Sequence, residues 1–230
     1  MQLFKLQDTA FVLIDHQVGI FDWIQSIDRS QLKRNALLLA KLAARAEIPV
    51  VLTTSQETNV QGPLMKGIQK ALPEAFAKRI LRVGIVNAWE SKAFADAVRA
   101  TGKRNLVMAG VTTDVCVIAP AISAIEEGFN VQVVADASGS ATKIGDDMAL
   151  QRLAAAGVQI TSTAGIVAEL LQNWDTELGD YALSLIPGAL DTSVKLRIIA
   201  RVMGRLLTGQ GLPRVDSERA GKSDILVLSK

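Results

Sequence analysis

The chain has 230 residues with nearly balanced charge, 25 Lys+Arg against 23 Asp+Glu, giving +2 at neutral pH. Hydrophobic residues make up 49% and charged residues 21%, which supplies a core and excludes intrinsic disorder as the main state. One cysteine excludes an intrachain disulfide framework and any multi-thiolate metal site, and one histidine excludes every motif that needs two.

No dense basic block occurs in the first 190 residues, so nucleic acid is not an expected partner. The early apolar run ends at Asp15, too soon for the core of a signal peptide. Later runs are broken by Lys, Asp or Arg well before the roughly 18 residues of a membrane span. A soluble, cytoplasmic protein without stable membrane association is expected.

In chain order, the first strand is AFVLI at 10–14, followed by a helix announced by Asp28 and Gln31, which resemble a capping box. That helix stops before Ile48-Pro49. PVVLT at 49–53 is the second strand and the run at 80–83 a weaker one. A helix over 90–101 leads to the strand NLVMAGV at 105–111. A helix over 115–127 precedes the strand at 131–135, and one over 146–155 precedes the last, at 158–161. Three of these helices close on a glycine, Gly102, Gly128 and Gly157. The strands are short, rich in β-branched residues and largely non-alternating, as parallel strands buried on both faces are. Strand–helix alternation then implies right-handed crossovers and an α/β doubly wound parallel sheet covered on both faces.

Composition shifts near Pro187-Gly188, which divides the chain into a domain at 1–186 and a C-terminal part at 187–230. Within the latter, 191–207 reads as a capped amphipathic helix. Val194, Ile198, Val202 and Leu206 form its apolar side, Lys195, Arg197, Arg201 and Arg205 its polar one. Docking on its own domain or on a neighbouring subunit is the expectation.

Ligands of such sheets bind beyond the carboxyl ends of the strands, where strand order reverses. In the common order 3-2-1-4-5-6, strands one and four meet there. Asp15 follows the first and Cys116 the fourth, so a carboxylate and the sole thiol face each other. A cysteine opening a helix has a lowered thiol pKa, because unpaired amides and the helix dipole favour an anion. The competing reading is a small buried hydrophobe. His16 is the one histidine, but neighbours at a strand end point apart, so an Asp15 facing the thiol leaves His16 turned away. A carboxylate base with a raised pKa serves instead. Arg82 is the first candidate for a balancing cation, with Lys78 and Arg79 as others. There is no GxGxxG after a strand, no P-loop and no GxSxG; Gly139-Ser140 follows the fifth strand without the elbow pattern.

The segments FVLIDHQVG, LTTSQET, RVGIVNAWES, MAGVTTDVCV and SAIEEGFNVQVVADASG, in this order over residues 8–175, resemble the successive motifs of isochorismatase-like cysteine hydrolases, nearest the YcaC-related subgroup. The resemblance implies a three-layer, six-stranded parallel sheet and a triad of Asp15, Cys116 and a cation, with Arg82 where the family has lysine. It implies a cis peptide at Val111–Thr112 and an oxyanion hole from the Thr112 and Cys116 amides. The implied reaction is hydrolysis of a small amide or related C–N bond in a homo-oligomer, with no cofactor. Metal-binding relatives use histidines near the second strand; SQETNVQG at 55–62 has none, so no metal is expected. Gln17, Asn87 and Trp89 are candidates for the substrate pocket, Trp89 equally for packing at a helix start. The alternative is an oligomeric scaffold or ligand-binding protein that kept the fold; an enol-ether-cleaving relative would lack the cysteine.

Overall fold

The computed structural model of the chain describes residues 3–186, together with 199, 200 and 203. Residues Met1–Leu185 form one compact unit and Ile186–Lys230 a second. The expected helix at 191–207 and its docking lie outside the described residues, apart from 199, 200 and 203, which are helical.

In the first unit, β1 (Thr9–Ile14) leads through the single-turn α1 (Val18–Phe21) into α2 (Arg29–Arg45). The Asp28 side chain accepts the Gln31 N–H at 2.8 Å, which starts α2 where the capping signal placed it. β2 (Val50–Ser55) is followed by α3 (Lys66–Ala71) and α4 (Pro73–Ala77), then β3 (Ile80–Arg82). α5 (Lys92–Ala100) precedes β4 (Asn105–Gly110), and α6 (Ile118–Glu126) precedes β5 (Asn130–Val134). α7 (Lys143–Ala155), β6 (Gln159–Thr161), α8 (Thr163–Leu171) and α9 (Glu177–Leu185) complete it. Gly102, Gly128 and Gly157, beyond α5, α6 and α7, all have positive φ, the left-handed exit that glycine adopts without a side-chain clash.

All six strands are parallel, in the order β3-β2-β1-β4-β5-β6. Helices cover both faces because alternate residues of the central strands face opposite ways. Ala10, Val12 and Ile14 join Leu106, Met108, Val131 and Val133 against α5, α6 and α7. Phe11 and Leu13 join Leu52, Val107 and Ala109 against α2, α3 and α8. Every residue of β1 is buried, which is why its apolar run does not alternate.

Register then places the site. Ile14 at the end of β1 lies beside Gly110 of β4 and Thr53 of β2, and Ser55 of β2 lies beside Arg82 of β3. Asp15, Arg82 and the turn carrying Cys116 therefore leave the sheet at the same edge. No helix of the described residues is long and apolar enough to cross a membrane.

Candidate active site

Asp15 continues the β1 ladder with one bond, its N–H to the Thr53 carbonyl at 3.0 Å, and then turns sharply. Its φ is 55°, and the Gln17 N–H reaches back to the Asp15 carbonyl at 2.6 Å. Aspartate is among the few side chains that tolerate this left-handed conformation. The turn buries the carboxyl group completely. Oδ2 accepts a hydrogen bond from Arg82 Nη2, whereas Oδ1 has no hydrogen-bond partner among the described residues.

Arg82 is buried with it and extends its donors in three directions. Nε donates to Thr53 Oγ1 at 3.0 Å, Nη1 to the carbonyls of Ile85 at 2.6 Å and Val86 at 3.4 Å, and Nη2 to Asp15. The Thr53 hydroxyl gives its own proton to the Ile80 carbonyl at 2.9 Å, which orients its lone pairs toward the guanidinium. A lysine, with its donors gathered on one nitrogen, could not span these partners. Arg82 thus holds the loop after β3 and the carboxylate with one planar group. The other two candidate cations lie elsewhere: Lys78 is exposed, and Arg79 forms a two-pronged pair with Glu57 at 2.7 and 2.8 Å over the Phe76 ring.

Cys116 is partly exposed and sits in one turn of π-helix, Thr113–Val117, ahead of α6. The expected position at the first turn of an α-helix is corrected here. The peptide Val111–Thr112 is cis, and the Thr112 carbonyl accepts from both the Cys116 N–H (2.8 Å) and the Val117 N–H (3.2 Å). π-turns of this kind gather at functional sites. Gly110, just before the cis bond, has no room for a side chain, since a Cβ would fall 2.5 Å from the Ile14 carbonyl oxygen.

These contacts overturn one electrostatic expectation and agree with another. The thiol was expected to have a lowered pKa; instead burial pushes Cys116 up to about 12, and the Asp15 carboxylate acts in the same direction against the weaker pull of the Thr112 backbone and Arg82. The resting group is a neutral thiol. Asp15 is raised as expected, because burial outweighs Arg82. Of the two amides assigned to an oxyanion hole, that of Cys116 is bonded to Thr112, while no described group accepts from the Thr112 N–H.

His16 does turn away. Its ring is fully buried, with Nε2 2.9 Å from the Ala137 carbonyl, and burial lowers its pKa to about 4. The three pocket candidates are committed to internal bonds. Gln17 is buried and stitches the loops together, donating to the Ser55 and Gly62 carbonyls and accepting the Ser55 N–H at 2.7 Å. Asn87 caps a short 3-10 turn and donates to Ser123 Oγ at 3.1 Å. Trp89 packs edge-on against Phe94 and Phe129 and donates to Glu127. Sequence reasoning passed over Thr53 and Ser138, and set Gly139-Ser140 aside because it lacks the elbow pattern. The segment 138–140 holds the cysteine turn through Gly110 N–H to Ser138 Oγ (3.1 Å), Thr113 N–H to the Gly139 carbonyl (2.9 Å) and Asp114 N–H to Ser140 Oγ (3.3 Å). The small polar pair after β5 was the available signal. A surface depression of about 590 Å³ along α7 is lined by Lys143, Ile144, Asp147, Met148, Leu150 and Gln151, and by none of the acid, cation and thiol groups. Among the described residues no three His, Cys, Asp or Glu side chains are grouped to hold a metal ion.

Comparison with known proteins decides the family. The isochorismatase domain model matches residues 9–165. The chain belongs to the isochorismatase family. It is 43% identical over 175 residues to the probable hydrolase YcaC of Escherichia coli (strain K12), covering 76% of this chain and 83% of that protein. The crystal structure of the E. coli YcaC gene product, described as an octameric hydrolase of unknown specificity, superposes with a TM-score of 0.81 at 38% identity over 86% of this chain and 98% of that one. YcaC from Pseudomonas aeruginosa, solved with hexane-2,5-diol and covalent acrylamide, gives 0.77 at 37% identity over 87% and 97%. By this kinship the chain is an isochorismatase-family protein of the YcaC type.

Proposed function

We propose that the chain is a cysteine hydrolase that cleaves a small amide or related C–N bond through a thioester, with Asp15 as base, Arg82 as fixed cation and Cys116 as nucleophile. The observation that carries this reading is the division of labour at Asp15. Arg82 holds Oδ2, Oδ1 is buried without a hydrogen-bond partner among the described residues, and the carboxyl group as a whole acts on the Cys116 thiol. Burial raises the proton affinity of that oxygen, as a general base requires.

In the first half-reaction Asp15 Oδ1 takes the Cys116 proton as sulfur attacks the carbonyl carbon. The Thr112 N–H, and the Cys116 N–H shared with the Thr112 carbonyl, stabilise the oxyanion. Its collapse breaks the C–N bond, and Asp15 returns the proton to the departing amine or ammonia. In the second half-reaction water attacks the thioester while Asp15 takes its proton. The acid departs and the sulfur is reprotonated. With a thiol near 12, proton transfer accompanies attack and free thiolate does not accumulate. Arg82 stays a cation throughout this exchange, because a guanidinium cannot give up its proton, while negative charge passes from the carboxylate to the substrate's carbonyl oxygen.

We assign this activity to residues 1–186. Covalent acrylamide on the Pseudomonas relative supports a small amide as ligand, with Cys116 as the group that would take it here. The octameric relative and the exposed Val83, Ile85, Val86 and Val115 flanking Arg82 and Cys116 support a homo-oligomer. A second reading, a scaffold or ligand-binding protein, is favoured by the high thiol pKa. A panel of aliphatic amides and carbamoyl compounds separates the two. Hydrolysis by the natural chain that falls by at least about a thousandfold in Cys116→Ala supports the enzyme. Absence of turnover across the panel, with Cys116 unlabelled by acrylamide, supports the scaffold.

A further inference from the structure

His16 has no part in the chemistry above, yet it is the sole histidine, fully buried, and adjoins the base. A carbonyl only accepts, so His16 Nε2 carries the proton donated to Ala137 O at 2.9 Å, and Nδ1 is bare, with no hydrogen-bond partner among the described residues. The segment it grips is well anchored. The Asp136 carboxylate binds the Thr163 N–H at 2.6 Å, and the Asp136 carbonyl accepts from Asn35 at 2.8 Å. Ser138 Oγ donates to Val134 O at 2.9 Å. The next residues of the same segment hold the cysteine turn, through Ser138 Oγ, Gly139 O and Ser140 Oγ. On the other side, the His16 carbonyl accepts the Met65 N–H at 2.8 Å.

We propose that His16 is a positioning residue: its bond to Ala137 registers the left-handed turn bearing Asp15 against the segment that holds the cysteine turn, and so sets the approach of the acid to the thiol. A structural filler would need neither the polar ring nor this partner. A ring with an orphaned nitrogen is an expensive way to occupy buried space. The proposal rests on the acid–thiol pair of the hydrolase reading and adds the element that aligns it.

The test uses the rate of iodoacetamide alkylation as a function of pH on the full chain, where the single cysteine makes the signal unambiguous. The groups facing the thiol are Asp15 and Arg82. In His16→Leu the acid is no longer held against the sulfur, and alkylation at pH 9 should rise about tenfold, the equivalent of one pKa unit. His16→Gln places an amide nitrogen near the position of Nε2 and should restore the natural profile. His16→Asn, whose nitrogen sits near that of Nδ1, should behave like the leucine variant and replaces it if the latter does not fold. With an amide substrate, kcat should fall in His16→Asn with KM little changed. A folded leucine or asparagine variant with the natural alkylation profile overturns the proposal, as does failure of His16→Gln to restore it. If the natural chain itself alkylates like an ordinary thiol, the acid–thiol pair and the proposal fall together. A changed profile in His16→Asn without any amide turnover leaves the positioning role standing and removes only the hydrolase reading.

Discussion

Two arginine–carboxylate contacts in this molecule share chemistry and differ in burial. Arg99 binds Glu127 with two nitrogens at 2.6 and 2.7 Å, with the side chains 46% and 33% exposed. There the partners prevail, and Glu127 is held down to about 2, chiefly by Arg99 and then by Trp89. Arg82 and Asp15 are 1% and 0% exposed, and desolvation prevails, so the Asp15 carboxyl is raised despite its cation. An exposed pair makes a carboxylate that stays ionised; a buried one makes a carboxylate poised to take up a proton. Only the second can serve as a base near neutral pH. Where the pair sits, rather than its composition, separates surface decoration from the proposed machinery.

The largest expected difference lies in turnover. Asp15→Asn keeps the shape and the acceptor toward Arg82 but removes the base, so hydrolysis of an amide substrate should fall by about 10²–10⁴. Glu127→Gln should leave kcat/KM unchanged within about twofold, a level set by its having no contact with the acid–thiol pair. Equal losses in the two variants would break the contrast.

Stability comes next. Arg82→Met leaves a buried carboxylate without its cation and should cost about 3–5 kcal/mol in urea denaturation. Arg99→Met should leave the midpoint near that of the natural chain, because an exposed pair exchanges its partner for water. Arg82→Lys is the sharper variant. It keeps the charge but cannot serve Thr53, Asp15 and the Ile85 and Val86 carbonyls together, so it should fall between the natural chain and Arg82→Met.

The pH dependence adds a third contrast, between His16 and its neighbour Asp15. His16 has a folded pKa near 4 against an ordinary 6.5. The stability linked to its neutral form is full above about pH 6.5 and is lost as pH falls toward 4. That difference corresponds to roughly 3 kcal/mol. Asp15 is raised and runs the other way: its contribution is present at low pH and is lost as pH rises through its folded pKa. Urea midpoints at pH 7 and pH 4.5 should therefore differ less in His16→Gln than in the natural chain. An unchanged difference would mean that His16 is not buried neutral.

How much of this was visible beforehand follows the range of the forces involved. The strands were legible because residues such as Val12 and Leu13 are buried on opposite faces and leave an unbroken apolar run. Asp15 and Cys116 were legible because sheet order alone brings the ends of β1 and β4 together. Arg82 could not be separated from Lys78 and Arg79 by spacing, and its selection rested on family resemblance. α1, α3 and α4 are too short to show a period, and the π-turn depends on how Thr112 meets two amides. The bonds of the Gln17 amide to Ser55 and Gly62 were not legible, because they join segments about 40 residues apart in sequence. The thiol's proton affinity was misread because helix position is a local cue, whereas burial and the facing acid are set by the whole fold.

The smallest effect bears most directly on the contrast. Salt reaches the two pairs unequally: at 1 M the screening length is about 3 Å, but ions gather only where solvent does. Raising salt should bring the exposed Glu127 back toward the ordinary carboxylate range, which NMR titration of its side chain would read. Asp15 is fully buried beside Arg82 and Cys116, so its titration should move little. The iodoacetamide profile of Cys116, governed by burial and by Asp15, should likewise be nearly the same at low and high salt. A thiol that became several-fold more reactive with salt would place both it and its acid in contact with solvent. The proton exchange proposed between them would then lose the desolvation on which it depends.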